Sequence, residues 1–399
     1  MRGAIVALMT QAHSTRFPLA PASVADYRRI AERRLPRQIF DYVDGGAYDE
    51  RTLADNVAAF GRVKLHQRIL RDVSSIDTST TIFGETWKIP AALAPIGFAG
   101  MLRKRGEVQA ARAAETFGVP FTLSTVSICP LEEIRKAITK AFWFQLYVIR
   151  DRVYARELLA RAHAAGCTVL AFTVDLAVLG ARYRDVRNGM AGVPLSPLSR
   201  AKVAFDYARR IDWLFDVALG GRPLEFGNLT GAVKDAKGFS DFQVWINKNL
   251  DPAMTWKDLD WIRANWPGKL VIKGILDPQD ARSAMSAVQP DGIIVSNHGG
   301  RQLDSVLATL DALPAIKEAV GGKTTLFLDG GIRSGLDIVK AMARGADACL
   351  IGRAWAYAVA AKGEAGVLAQ LRTLKREMEV AMALTGVTKT RDITSDVLV

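Results

Sequence analysis

The chain of 399 residues has little cysteine and histidine, 3 and 4 residues respectively. Cys129, Cys167 and Cys349 lie far apart, are odd in number and form no CxxC pair. That pattern excludes a disulfide framework and a cysteine metal site, and reads as isolated thiols of a reducing compartment. No apolar run approaches the roughly 20 residues that a helical membrane span needs. The net charge is +12, yet there is no long Lys/Arg block, zinc-finger spacing or nucleic-acid signature. The positive excess is therefore assigned to an acidic substrate or an anionic surface, with no nucleic acid expected. No GxGxxG lies between a strand and a helix with an acidic partner about 20 residues on, which argues against a Rossmann dinucleotide site. The opening MRGAIVALMT has one arginine, a short apolar stretch and no clear small-residue cleavage site. Residues 1–20 read as a disordered leader or an upstream start, and 21–399 as a single domain.

Hydrophobic residues make up 49% of the chain, enough for a large core. Short apolar, β-branched runs alternate with helical stretches. Eight runs stand out: 91–97, 120–125, 142–148, 168–175, 271–276, 292–298, 324–332 and 348–355. Near-continuous apolar runs mark parallel strands buried on both faces. Helical segments at 108–118, 131–138, 154–166, 277–287 and 334–345 lie between them, with Gly118 and Gly166 as stop signals and Asp277 as an N-cap before Pro278. Eight strand–helix units in series predict an α/β fold, a (β/α)8 TIM barrel with right-handed crossovers. Residues 21–90 precede it, with a helix over SVADYRRIAERRL, and are expected to cap its mouth or its floor. About ninety residues separate the fourth and fifth runs, so an insertion at about 190–255 is expected on one barrel loop.

Such barrels carry their working site at the C-terminal strand ends. There the sequence places Pro95 after the first run, Ser124 after the second, Gln145 and Tyr147 on the third, and Thr173 and Asp175 on the fourth. Lys273 falls on the fifth, Ser296 and His298 on the sixth, Asp329 and Gly331 on the seventh, and Gly352 and Arg353 on the eighth. A lysine inside VIKGIL is costly to bury unpaired and should face an anionic or carbonyl-rich ligand. Glycine turns beside Arg333 and Arg353, after the seventh and eighth runs, predict a phosphate site. Phosphate ligands there and polar hydrogen-bonding groups elsewhere suit a mononucleotide with a flat polar ring.

SNHGGRQLD (296–304) closes the sixth run. Two glycines allow a tight turn that brings Arg301 into the mouth beside His298. Arginine grips a carboxylate bidentately, histidine is a general base near neutral pH, and Asp175 can orient the imidazole. A base, a carboxylate clamp and a flat redox ring together point to oxidation of a 2-hydroxy acid.

These residues resemble the FMN-dependent α-hydroxy acid dehydrogenases and oxidases. SNHGGRQLD is similar to that family's active-site signature, and FDYVDGGAYDE, ALAPIG, LSTVS, FQLYV, FTVD, GARYRD, VIKGIL and LDGGIRSG follow in order across about 25–390. The resemblance is nearest to the bacterial respiratory L-lactate dehydrogenase branch. It implies FMN as cofactor and His298 as proton acceptor. It implies Tyr42, Arg182 and Arg301 at the substrate carboxylate and Tyr147 at its hydroxyl. Pro95, Ile96 and Gly97 would lie along the flavin ring; Ser124, Gln145, Thr173, Lys273 and Ser296 would bind the ring or ribityl chain; Asp329, Gly331, Arg333, Gly352 and Arg353 would bind the ribityl chain and phosphate. It also implies a quinone or other acceptor, a peripheral position on the cytoplasmic face of the inner membrane or in the cytoplasm, and a homotetramer.

Two features depart from the lactate branch. DLAVLGAR (175–182) is nearer to mandelate dehydrogenases, and Gly97 and Val126 are small residues that leave room for more than a methyl group. The alternatives are therefore an oxidase or dehydrogenase for a larger 2-hydroxy acid such as (S)-mandelate, and, from another class, a non-catalytic barrel that binds phosphate ligands or nucleic acid. In the insertion, RAKVAFDYARRIDWLFDV joins basic residues to Trp213, Leu214 and Phe215, an expected interfacial helix or a helix packed over the mouth.

Overall fold

The computed structural model describes residues 20–190, 194–230 and 248–399. Most of the leader at 1–20, and 191–193 and 231–247 of the insertion, lie outside the described residues.

A short antiparallel hairpin, β1 (Thr80–Ile82) and β2 (Glu85–Trp87), precedes eight parallel strands. These are β3 (Ala91–Leu93), β4 (Thr122–Ser124), β5 (Phe142–Tyr147), β6 (Cys167–Thr173), β7 (Lys269–Ile275), β8 (Gly292–Val295), β9 (Thr325–Asp329) and β10 (Ala348–Ile351). Their spatial order runs β3-β10-β9-β8-β7-β6-β5-β4, and a Leu93–Phe121 bridge closes the ring. This is the barrel that the eight runs predict.

Alternation builds the interior. Ala92, Trp143, Val169, Ala171, Val271, Ile294, Phe327, Ala348 and Leu350 form one buried cluster inside the ring. Side chains two residues apart share a face of a strand. The next inward positions after Trp143, Ala171, Val271, Ile294 and Phe327 are Gln145, Thr173, Lys273, Ser296 and Asp329. One period-2 register therefore turns an apolar barrel into a polar rim.

The N-terminal segment caps both ends of the barrel. The hairpin closes the floor, where Ile82 and Trp87 join the interior cluster and Trp87 sits 5.7 Å from the Trp143 ring. The helices Val24–Arg34, Arg37–Asp44 and Arg51–Arg62 lie toward the mouth. The first starts at a Ser23–Asp26 capping box, in which each side chain satisfies a backbone donor of the other's end.

The insertion carries a helix at Pro197–Ala208 with no buried residue, followed by turns at Ile211–Trp213 and Leu214–Leu219. The expected interfacial set is corrected in one respect. Trp213 is buried and donates its indole N–H to the Met101 carbonyl at 2.8 Å, so it anchors the segment to the barrel. Leu198, Phe205, Ile211, Phe215 and Leu219 are the large apolar side chains left exposed there.

Candidate active site

The C-terminal strand ends open into a cleft of about 1220 Å³, its open mouth included. Sixteen of the nineteen candidate site residues line it directly: Tyr42, Pro95, Ile96, Gly97, Gln145, Tyr147, Thr173, Arg182, Lys273, His298, Arg301, Asp329, Gly331, Arg333, Gly352 and Arg353. The other three stand one layer behind and hold those that line it. Ser124 donates to Gln145 Oε1 at 3.1 Å, Ser296 bonds Lys273 and Asp329, and Asp175 holds His298.

His298 follows the end of β8 with φ +57, and Gly299 and Gly300 continue in the same left-handed region. That conformation is strained for a side-chain-bearing residue and persists where the surroundings fix it. Ser296 Oγ accepts from the His298 N–H at 3.0 Å, and a Cβ on Gly300 would lie 2.6 Å from the Leu53 nitrogen. The turn packs tightly against the helix Arg51–Arg62. Buried Asn56 on that helix exchanges two 2.9 Å hydrogen bonds with Asn297. Sequence reading did not find Asn56, because its partner lies 241 positions away and no local pattern marks it.

His298 Nδ1 lies 2.8 Å from Asp175 Oδ1. Burial alone would raise the Asp175 carboxyl, but the His298 and Lys273 charges overcome it and hold the carboxylate below its usual range. An ionised carboxylate can only accept, so Nδ1 carries the proton and Nε2 is left as a basic lone pair for the cleft. Burial lowers the imidazole's own pKa, opposed by Asp175 and assisted by Lys273. The histidine is thereby kept neutral and ready to accept a proton.

Lys273 Nζ is 3.0 Å from both Ser296 Oγ and Asp329 Oδ2. The lysine faces the cleft and is not unpaired there: Asp329 and Asp175 outweigh burial and raise the ammonium pKa. Gln145 Nε2 reaches Thr173 Oγ1 at 3.0 Å, continuing the polar rim.

The arginines divide by what already holds them. Arg353 gives hydrogen bonds to the carbonyls of Val43, Gly45 and Gly299 at 3.0, 2.7 and 2.8 Å, and burial lowers it to about 10. It knits the cap to the histidine turn. Arg333 lines the cleft beside Gly331, ahead of the helix Gly335–Arg344 with Ser334 as N-cap. Arg301 Nη1 bonds the carbonyls of Tyr42 and Gly45, and its guanidinium stands 4.9 Å over the Tyr42 ring. Burial and the Arg301 charge lower Arg182 to about 10. A buried arginine disfavoured by a second guanidinium in the same cleft favours an anion beside it.

Gly97 does not open the space that its lack of a side chain implies. A Cβ there would lie 2.5 Å from Val126 Cγ2 and 3.2 Å from Tyr42 Oη. The glycine serves close packing of the wall. Phe98, Leu176 and Leu179 also line the cleft. Sequence reading passed over them because apolar residues after a strand carry no chemical label.

A family model described as FMN-dependent dehydrogenase matches residues 31–399. Over 374 residues the chain is 54% identical to an L-lactate dehydrogenase of Caulobacter vibrioides, covering 94% of this chain and 96% of that one. It is 52% identical over 374 residues to an L-lactate dehydrogenase of Ectopseudomonas mendocina, covering 94% and 97%. Among solved structures, the monotopic membrane protein (S)-mandelate dehydrogenase matches with a TM-score of 0.88 at 34% identity, over 95% of this chain and 99% of that one.

Proposed function

Since the chain belongs to the FMN-dependent dehydrogenase family, we propose that it oxidises an L-2-hydroxy acid, L-lactate to pyruvate, and passes the electrons to a membrane quinone. The observation that carries the reading is the His298–Asp175 pair at 2.8 Å in a cleft that also holds Arg182 and Arg301. FMN, when bound, supplies the two-electron acceptor. The cleft fits it: Pro95, Ile96 and Gly97 form one wall for a flat ring, and Gln145, Thr173 and Lys273 offer polar atoms for its edge. Arg333 and the Gly331 backbone suit its phosphate, and the nearest neighbour of a Cβ built on Gly352 would be the Ala94 Cβ at 3.9 Å, which leaves space there. Ser124, Ser296 and Asp329 act by fixing Gln145 and Lys273, while Arg353 adds charge and holds the mouth together. Lys273 places a cation where a reduced, anionic ring gains from it.

Arg301, Arg182 and Tyr42 hold the substrate carboxylate, and Tyr147 bonds its hydroxyl. A 2-hydroxy acid loses two electrons and two protons to become a 2-oxo acid. His298 Nε2 accepts one of these protons and Asp175 stabilises the imidazolium that results, while the two electrons and the other proton would be taken up by FMN.

Lactate is favoured by the two relatives named above and by the filled space at Gly97, which narrows the wall. The exposed apolar side chains of 197–219 support peripheral contact of the insertion with a membrane surface; we propose the cytoplasmic face for that contact. Among the described residues no helix is long and apolar enough to cross a membrane. A single domain over 21–399, carrying the 190–255 insertion and assembling as a homotetramer, completes the proposal.

The test is His298→Gln. The variant is expected to bind FMN as the native protein does and to lose flavin reduction by L-lactate almost entirely. Reduction at a native rate would remove His298 from the chemistry.

A further inference from the structure

The sequence Phe226-Gly227-Asn228-Leu229 belongs to the insertion yet is buried in the barrel. Phe226 is 9% exposed, and Asn228 and Leu229 are fully buried. Asn228 uses both ends of its amide. Its Oδ1 accepts from the Leu131 N–H at 2.9 Å, and its Nδ2 donates to Ser127 Oγ at 2.9 Å and to the Ser124 carbonyl at 3.3 Å. Its own carbonyl accepts from Tyr154 Oη at 2.5 Å and from Arg161 Nη1 at 3.2 Å. Gly227 donates to the Ser127 carbonyl at 3.2 Å, and a Cβ there would lie 2.6 Å from Pro130 Cδ. The segment is therefore stitched to the loop after β4, the loop that carries Val126 into the cleft.

The stitch fixes where Phe226 stands. Its ring meets Phe98 edge to face, with centroids 4.4 Å apart and planes at 81°. Phe98 meets Tyr42 in the same manner at 5.1 Å and 78°. Tyr42 in turn lies under the Arg301 guanidinium. Phe98 itself has φ +62, a left-handed conformation that a phenylalanine holds only when its neighbours impose it. Its N–H is tied to the Val126 carbonyl at 3.0 Å, and Phe226 packs on the ring.

We propose that Phe226 is a positioning residue for substrate: through Phe98 it sets the Tyr42 ring against Arg301, so a residue of the insertion builds the carboxylate end of the cleft. The inference rests on the reading of that cleft as a 2-hydroxy acid site. Phe226 touches neither the histidine dyad nor the Lys273 group in this account. Its loss should weaken substrate binding and spare both flavin retention and the limiting rate of reduction.

The experiment uses the holoenzyme without oxygen, with flavin reduction followed against L-lactate concentration. For Phe226→Ala the half-saturating concentration should rise roughly tenfold, with the limiting rate within about threefold and bound FMN unchanged. Phe226→Leu, which retains apolar bulk but not the edge-to-face ring contact, should give a smaller rise of roughly threefold, and it carries the test if the alanine variant does not fold. Native half-saturation in either folded variant overturns the proposal. Loss of flavin from both variants assigns Phe226 to the fold alone and also overturns it. A native enzyme that no 2-hydroxy acid reduces overturns the functional reading itself, an outcome separate from these.

Discussion

At the residue scale the chemistry depends on one proton's position. Burial, the largest influence on His298, pushes its pKa below the ordinary 6.5, while Asp175 pulls it back up. The base works only when neutral, so activity should be present above its pKa and fall as pH drops through it. The acid limb of kcat/KM is therefore expected below pH 6.5. Asp175→Asn removes the influence that raises the pKa, so the limb should move further toward acid. The same change costs the tautomer and the imidazolium stabilisation, and kcat/KM should fall by roughly 10²- to 10⁴-fold. An acid limb above 6.5, or one that moves upward in the variant, would contradict this electrostatic picture. Asp175 Oδ2 is buried without a hydrogen-bond partner among the described residues. The carboxylate's charge is therefore answered chiefly through His298 and Lys273, which makes it sensitive to either neighbour.

At the element scale the insertion has two faces with different work. Trp213, Val217 and the 226–229 segment are buried and tie it to the barrel. Phe205 and Phe215 are 69% and 67% exposed on its outer side. An amphipathic surface segment binds a bilayer boundary through its apolar area, helped by nearby basic residues. Replacing Phe205 and Phe215 together by serine should release the enzyme from sedimenting membranes and leave anaerobic flavin reduction by L-lactate within about twofold, because surface changes away from packing rarely cost much. Unchanged sedimentation would remove the segment from the membrane contact.

At the scale of the whole molecule, the barrel and most of its rim were legible because both rest on local rules. Alternation along β5 to β9 carries an apolar interior into Gln145, Thr173, Lys273, Ser296 and Asp329 without a break in register. Helix ends followed the same logic: Gly118 and Gly345 take left-handed conformations at φ +94 and +116, and Asp277 and Ser334 cap with their side chains. The run at 91–97 overshot, since β3 ends at Leu93. Pro95 brings no N–H to a ladder, and the chain leaves the barrel wall there. What stayed hidden depends on distant parts of the chain meeting. Lys273 finds Asp329, Asn56 finds Asn297, and Asn228 finds the loop after β4, each across a separation that no window of sequence contains. The wall at Gly97 belongs with these: its size is decided by Val126 and Tyr42, not by the glycine.

Substrate identity is where those hidden contacts matter most, and one measurement addresses it directly. The purified native enzyme, without oxygen, is mixed in parallel with L-lactate and with (S)-mandelate while the flavin absorbance is followed. Rapid bleaching by L-lactate with slow or no bleaching by mandelate is the predicted result. Bleaching by mandelate alone would contradict the account: it would mean that the cleft beside Val126 and Phe98 accepts a ring, and that the lactate assignment is wrong.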